Sequence, residues 1–153
     1  MSRIAILVLT ALMVAPTPII AQPDDFAPLE GVCKGEWKIT QGTDDIGGKF
    51  RVTFGRAAPI PEGSFRNLEL TRTRLDGKRS AEKVKVSNRE MKVEKLQAIS
   101  AEPPRYRWFA AGNCWNAEIK AGLMEGFFNA GPCSNMGMGA GARAVEFVAK
   151  KAG

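Results

Sequence analysis

The sequence predicts an all-β protein: a small antiparallel up-and-down barrel of about eight strands, followed by a C-terminal strand or short helix. Three observations carry this expectation. From Lys34 onward apolar and polar residues alternate with period two, as where Trp37 and Ile39 alternate with Glu36 and Lys38, and Phe50, Val52 and Phe54 with Lys49, Arg51 and Thr53. Turn-forming residues punctuate these runs at short intervals. No stretch before residue 140 carries an apolar stripe at helical spacing.

The first element is a processing signal. Arg3 supplies a positive start, Ile4 to Ala15 an uncharged apolar stretch, and Pro16 and Pro18 break it before Ala21, so residues 1–21 read as a signal peptide cleaved after Ala21. The apolar stretch falls short of the roughly 20 residues that span a bilayer. No cysteine stands where a lipoprotein signal needs one, the first being Cys33. The expected location is periplasmic or secreted. Residues 22–33, opening on Pro23-Asp24-Asp25, read as a flexible lead-in, and 34–153 as a single β-barrel domain with a Gly-rich segment at 131–142.

Along that domain the first two strands centre on Trp37 and on Phe50–Phe54, with Gly42-Thr43-Asp44-Asp45 and Gly47-Gly48 as turn residues between them. A third runs from Phe65 to Leu75, and Asp76-Gly77 offers a tight hairpin turn. Val84 and Val86, then Met91 and Val93, continue the alternation around Ser87-Asn88. After the Pro103-Pro104 loop come Tyr106 and Trp108, then Trp115, Ala117 and Ile119, then Met124 to Phe128. In Arg143–Lys151, Val145, Phe147 and Ala149 fit a strand while the Ala, Glu and Lys content fits a short helix. A closed meander removes sticky edges and leaves an interior for side chains or one ligand.

Composition excludes much chemistry. With no histidine, Ser-His-Asp and Cys-His systems, HExxH zinc sites and CxxCH haem attachment are all ruled out. No Walker-type loop or dinucleotide fingerprint is present. The remaining acid–base candidates are Asp44-Asp45, in a turn, and Glu118 with Glu125, facing each other across the Lys120–Leu123 hairpin; neither lies beside an apolar cluster that would raise a pKa. The chain is therefore expected not to be an enzyme and to need no cofactor. Met136 and Met138 read as loop gap-fillers rather than a soft-metal site.

The chain holds 22 Lys and Arg against 16 Asp and Glu, and the excess concentrates in residues 66–95. Lys78–Lys95 contains no aromatic residue on which a base could stack, so nucleic acid is not expected; a solvated outer strand face explains its alternating charge, with weak binding to an anionic surface as the alternative. Arg105, Arg107 and Phe109 alternate with Tyr106 and Trp108 as an ordinary amphipathic strand does.

Three cysteines in an exported chain allow one bridge and leave one thiol. In an eight-stranded closed meander all three would meet at one barrel end, favouring Cys33–Cys133, with Cys114–Cys133 as the alternative. A three-thiolate metal site lacks the CxxC spacing and a fourth ligand, so no metal is expected. In the third strand, strict alternation places Leu68 and Leu70 on one face with Arg72 and Arg74, turning both guanidinium groups toward a barrel mouth where an anionic headgroup would pair with them. A bulge would instead leave both solvated.

Gly35-Glu36-Trp37, opening the first strand, resembles the G-x-W signature of the lipocalins. That resemblance implies an eight-stranded barrel whose floor is closed by Trp37, with Arg143 packed on it. The architecture is also similar to that of small periplasmic inhibitors of secreted metalloproteases, which implies that Gln22–Phe26 would enter a protease cleft. Two functions follow. The first is an exported noncatalytic binding protein carrying a small amphipathic or anionic molecule, lined by Trp37, Phe54, Leu68, Leu70 and Trp115 together with Phe50, Val52, Ile119 and Phe128, with Arg72 and Arg74 at the mouth. The second is an inhibitor or adaptor that holds a protein partner through loops and termini while its interior is filled. The state of the interior separates them.

Overall fold

A computed structural model describes residues 23–56, 59–74, 81–133 and 144–153. It is all-β: one antiparallel sheet of ten strands, preceded by a 3-10 helix at Pro23–Leu29. The strands are β1 (Gly31–Gln41), β2 (Asp44–Phe54), β3 (Gly63–Arg74), β4 (Ala81–Val84), β5 (Met91–Lys92), β6 (Glu94–Ala101), β7 (Pro104–Ala110), β8 (Asn113–Lys120), β9 (Leu123–Ala130) and β10 (Val145–Lys151). Their order is β4-β3-β2-β1-β10-β9-β8-β7-β6, with β5 also on β3. Among the described residues no ladder joins β4 to β6, and the sheet is not closed. The segment around Val93 touches both sides: β5 pairs with β3, the Val93 amide donates to the Gly63 carbonyl (2.8 Å), and Glu94 stands opposite Phe109 of β7.

Alternation builds the core. Phe50, Val52, Phe54, Phe65, Tyr106, Trp108, Trp115, Ala117, Met124 and Phe147 all turn to one face and are buried, while their chain neighbours are wetter. The sheet rolls so that this face meets itself. Phe50 and Phe65 touch Trp115, and Phe54 touches Trp108, although β2 and β8 are separated by β1, β10 and β9. The β7–β8 and β8–β9 connections are two-residue turns with both residues at positive φ, Ala111-Gly112 and Ala121-Gly122, the twist-matched form for a tight hairpin.

Several expectations are corrected. The lead-in is not a free tail in its described part. Phe26 and Leu29 are buried, the Tyr106 hydroxyl donates to the Asp25 carbonyl (2.6 Å), and the Phe26 and Tyr106 rings lie 6.0 Å apart. Two large apolar side chains within five residues are enough to dock the segment across one end of the roll. The last segment is a strand, β10, and it lies between β1 and β9. The Asp76-Gly77 turn, Arg143, Met136 and Met138 lie outside the described residues.

The favoured disulfide is corrected too. Cys114 is bonded to Cys133, and Cys33 is a buried free thiol. Because β10 is antiparallel to both β1 and β9, those two strands run parallel to each other. The start of β1, where Cys33 lies, and the end of β9, beyond which Cys133 follows, therefore sit at opposite ends of the sheet, which keeps Cys33 away from Cys133.

Candidate functional site

The residues expected to line a cavity are brought together only in part, and those that meet fill the space themselves. Trp115 is 2% exposed and contacts five aromatic rings, those of Phe50, Phe65, Trp108, Phe128 and Phe147, at centroid distances of 4.4–6.4 Å. Its indole N–H donates to the Ala110 carbonyl (3.0 Å). Phe54 is fully buried against Trp108. Trp37 is half-buried, edge-on to Phe128 at 5.5 Å, and its ring lies over the backbone of Gly48, where any side chain would strike it. Space between these strands is taken up by aromatic rings at van der Waals spacing.

The third strand leaves both of its expected mouth arginines in solvent. Lys49 stands opposite Glu69 but Phe50 opposite Asn67, so Leu68 is an extra residue in the ladder. The bulge takes Leu68 out of the ladder, but Leu70, Arg72 and Arg74 still share one face, opposite Gly48, Ile46 and Asp44, at its open end. Leu68 is exposed, Leu70 half-buried, and Arg72 and Arg74 are exposed opposite Ile46 and Asp44. Arg72 already has a carboxylate, Asp44, at 3.1 Å. The anion it calls for is supplied by the protein.

Two broad concave surfaces lie on the outer face. A groove of about 810 Å³ runs over β3, β2, β1 and β10, with Gly47 as its floor and Glu36, Lys38, Lys49, Glu69 and Thr71 as its walls. A second, of about 680 Å³, continues over β1, β10 and β9 past Lys38, Thr40, Phe127, Glu146 and Val148. Phe127 and Val148 are 39% and 43% exposed. Register surrounds this apolar pair with carboxylates: Val148 stands opposite Glu36 on one side and Glu125 on the other, and Phe127 opposite Glu146. All three glutamates are exposed.

Charge in the groove is partly paired. Lys38 meets Asp45 (3.2 Å) and Lys49 meets Glu69 (3.5 Å). The Thr40 hydroxyl, at 2.6 Å, is the main reason Asp45 is held below the ordinary carboxylate range, and Lys38 adds to it. Glu118 and Glu125 do stand directly opposite each other. Arg105 donates to Glu118 at 2.9 Å, and this bond chiefly lowers its pKa, the wrong direction for a general acid. Among the described residues no three His, Cys, Asp or Glu side chains are grouped to hold a metal ion, and no helix is long and apolar enough to cross a membrane.

Two features had no sequence signal strong enough to find them. The apolar pair Phe127–Val148 joins strands through the β9–β10 register, and Gly47 acquires its role as a groove floor only when β1 and β3 flank it. Comparison with family models, curated proteins and solved structures finds no match to this chain.

Proposed function

We propose that this chain is an exported, noncatalytic binding protein that engages a protein partner, with the carboxylate-rimmed apolar patch of β9 and β10 as its contact. The packing around Trp115 carries this reading: with five rings against it, the roll leaves no room there for a carried molecule. The recognising surface then belongs on the outside, where the exposed Phe127 and Val148, diagonal neighbours across β9 and β10, line one groove. Glu36, Glu125 and Glu146 around it favour a partner segment combining an apolar side chain with lysine or arginine. The Cys114–Cys133 bridge and the N-terminal signal pattern support export.

This placement differs from insertion of the N-terminal segment into a partner's cleft. Asp25 and Phe26 are held against Tyr106, so the described part of that segment is occupied within the fold. Native mass spectrometry of the mature protein, isolated from its own cell envelope without reductant, tests the reading. A complex with a second polypeptide that Phe127→Asp and Val148→Asp each dissociate supports it. A bound mass of a few hundred daltons overturns it in favour of a small-molecule carrier.

A further inference from the structure

Four cations form one row across the outer face. Lys150 of β10 stands opposite Lys34 of β1, Lys34 opposite Arg51 of β2, and Arg51 opposite Arg66 of β3. Neighbouring Cys33, Val52, Phe65 and Ala149 are buried on the core face, so the row points outward. Lys34 and Lys150 are exposed and the two arginines half-buried. With neighbouring strands about 4.8 Å apart, the row spans about 14 Å.

Like charges directly opposite one another destabilise a sheet, and here three such pairs follow in succession. Elsewhere on this face the pairing is complementary. Lys49 lies between Glu36 and Glu69, and Arg105 lies opposite Glu118. The one like-charged acidic pair, Glu118 with Glu125, is offset by Arg105 and Lys120 on Glu118. In the cationic row only Arg66 meets a carboxylate, Glu90 at 3.4 Å. Lys34, Arg51 and Lys150 have no ion pair among the described residues, and the buried Arg51 Nε has no acceptor there.

We propose that this row binds a linear anionic polysaccharide, its sulfate or carboxylate groups lying along Lys150, Lys34, Arg51 and Arg66. A linear chain suits the site better than a plane of charge. In the next row along the same strands, two residues from Lys34 and three from Arg66, lie Glu36 and Glu69, which a flat anionic membrane would also have to approach. On the other side lie Val32, Thr53 and Ser64, in register, whose two hydroxyls can hydrogen-bond a sugar. Neither row carries an aromatic ring for a nucleobase. The site is separate from the Phe127–Val148 patch and does not depend on it.

Binding of the mature protein to heparin, as the sulfated probe, and to polygalacturonate, as the carboxylated one, tests this. Binding to at least one, weakening steeply with added salt, is expected, and which of the two binds tells sulfate from carboxylate recognition. Lys34→Gln/Arg51→Gln/Lys150→Gln should weaken it by about tenfold or more and flatten its salt dependence. Lys83→Gln/Lys85→Gln/Lys95→Gln removes the same net charge away from the row and should change it little. The row variant should melt at or above the wild-type temperature, because repulsion is relieved; if it does not fold, Arg51→Gln alone carries the comparison. Equal loss in both triple variants, or no binding of the wild type to either polysaccharide at low salt, overturns the proposal. Tighter row-dependent binding to phosphatidylglycerol vesicles or single-stranded DNA overturns it as well.

Discussion

Replacing Trp115 by Ala probes whether the interior is the protein's own. The side chain is 2% exposed, contacts five rings and donates one hydrogen bond to the Ala110 carbonyl. Truncating a buried aromatic costs about 3–5 kcal/mol, and an orphaned carbonyl adds about 1 kcal/mol, so the upper half of that range is expected. Each kcal/mol lowers Tm by about 3–4 °C in a chain of this length, giving a fall of roughly 10–20 °C. Differential scanning calorimetry measures it. The variant should also gain what the wild type lacks: an apolar cavity that indole fills, raising its Tm with indole concentration. A loss under about 1 kcal/mol, together with uptake of an apolar fluorescent probe by the wild type, would refute the packed interior and restore the carrier reading.

Other consequences are checkable separately. Burial pushes the Cys33 thiol above its ordinary pKa, with Lys151 opposing, so a thiol reagent should leave the native protein unlabelled and modify one cysteine after denaturation without reductant. Peptide mapping should find Cys114 linked to Cys133; replacing both by Ser opens a loop with a sequence separation of 19 and should cost about 3 kcal/mol by chain entropy. Tyr106 is pushed up to about 12, first by burial and then by Asp25. Its neutral form is favoured in the folded state, so this contribution is intact below the unfolded value near 10 and is lost as pH rises toward about 12. Alkaline denaturation should fall in that window, and Tyr106→Phe should remove the part due to this group. At the exposed β8–β9 turn, Ala121 has φ 51°, so Ala121→Gly should stabilise by up to about 1 kcal/mol in urea titrations.

Local pattern made the strands legible. Trp37, Phe50 to Phe54, Tyr106 with Trp108, and Trp115 with Ala117 fall on strands with the burial that alternation implies, because side-chain direction in a strand depends only on parity. Register was not legible, and the corrections descend from it. Inserting β10 between β1 and β9 reverses the end at which Cys133 emerges, and one extra residue takes Leu68 out of the ladder while Leu70, Arg72 and Arg74 keep a common face. Phe26 and Leu29 sit in a polar, Pro-containing segment with no periodicity, so only the apolar end of the roll that they cover gives them a structure. The Glu118–Glu125 pair was readable, since a two-residue turn fixes register locally, whereas Val148 beside Glu36 and Glu125 required three strands.

Charge distribution follows the same logic. The net positive charge and the basic run at 66–95 suggest one cationic region, yet the longest cationic row draws Lys34, Arg51 and Lys150 from outside that run. An antiparallel sheet converts sequence spacing into rows, so residues far apart in the chain share a line when their register agrees, and neighbours two residues away fall into the next line. Lys34 and Glu36 thus belong to rows of different character, one cationic from Lys150 to Arg66, the other alternating through Glu36, Lys49 and Glu69. A bound ion feels its own row most strongly, because the next row lies about 6.7 Å further along the strands, although that is still within the screening length of about 8 Å at physiological salt. Net charge is then a poor guide to what this face attracts. The partner of each row is set by its own four or five side chains, and substitutions should be grouped by row rather than by position in the chain.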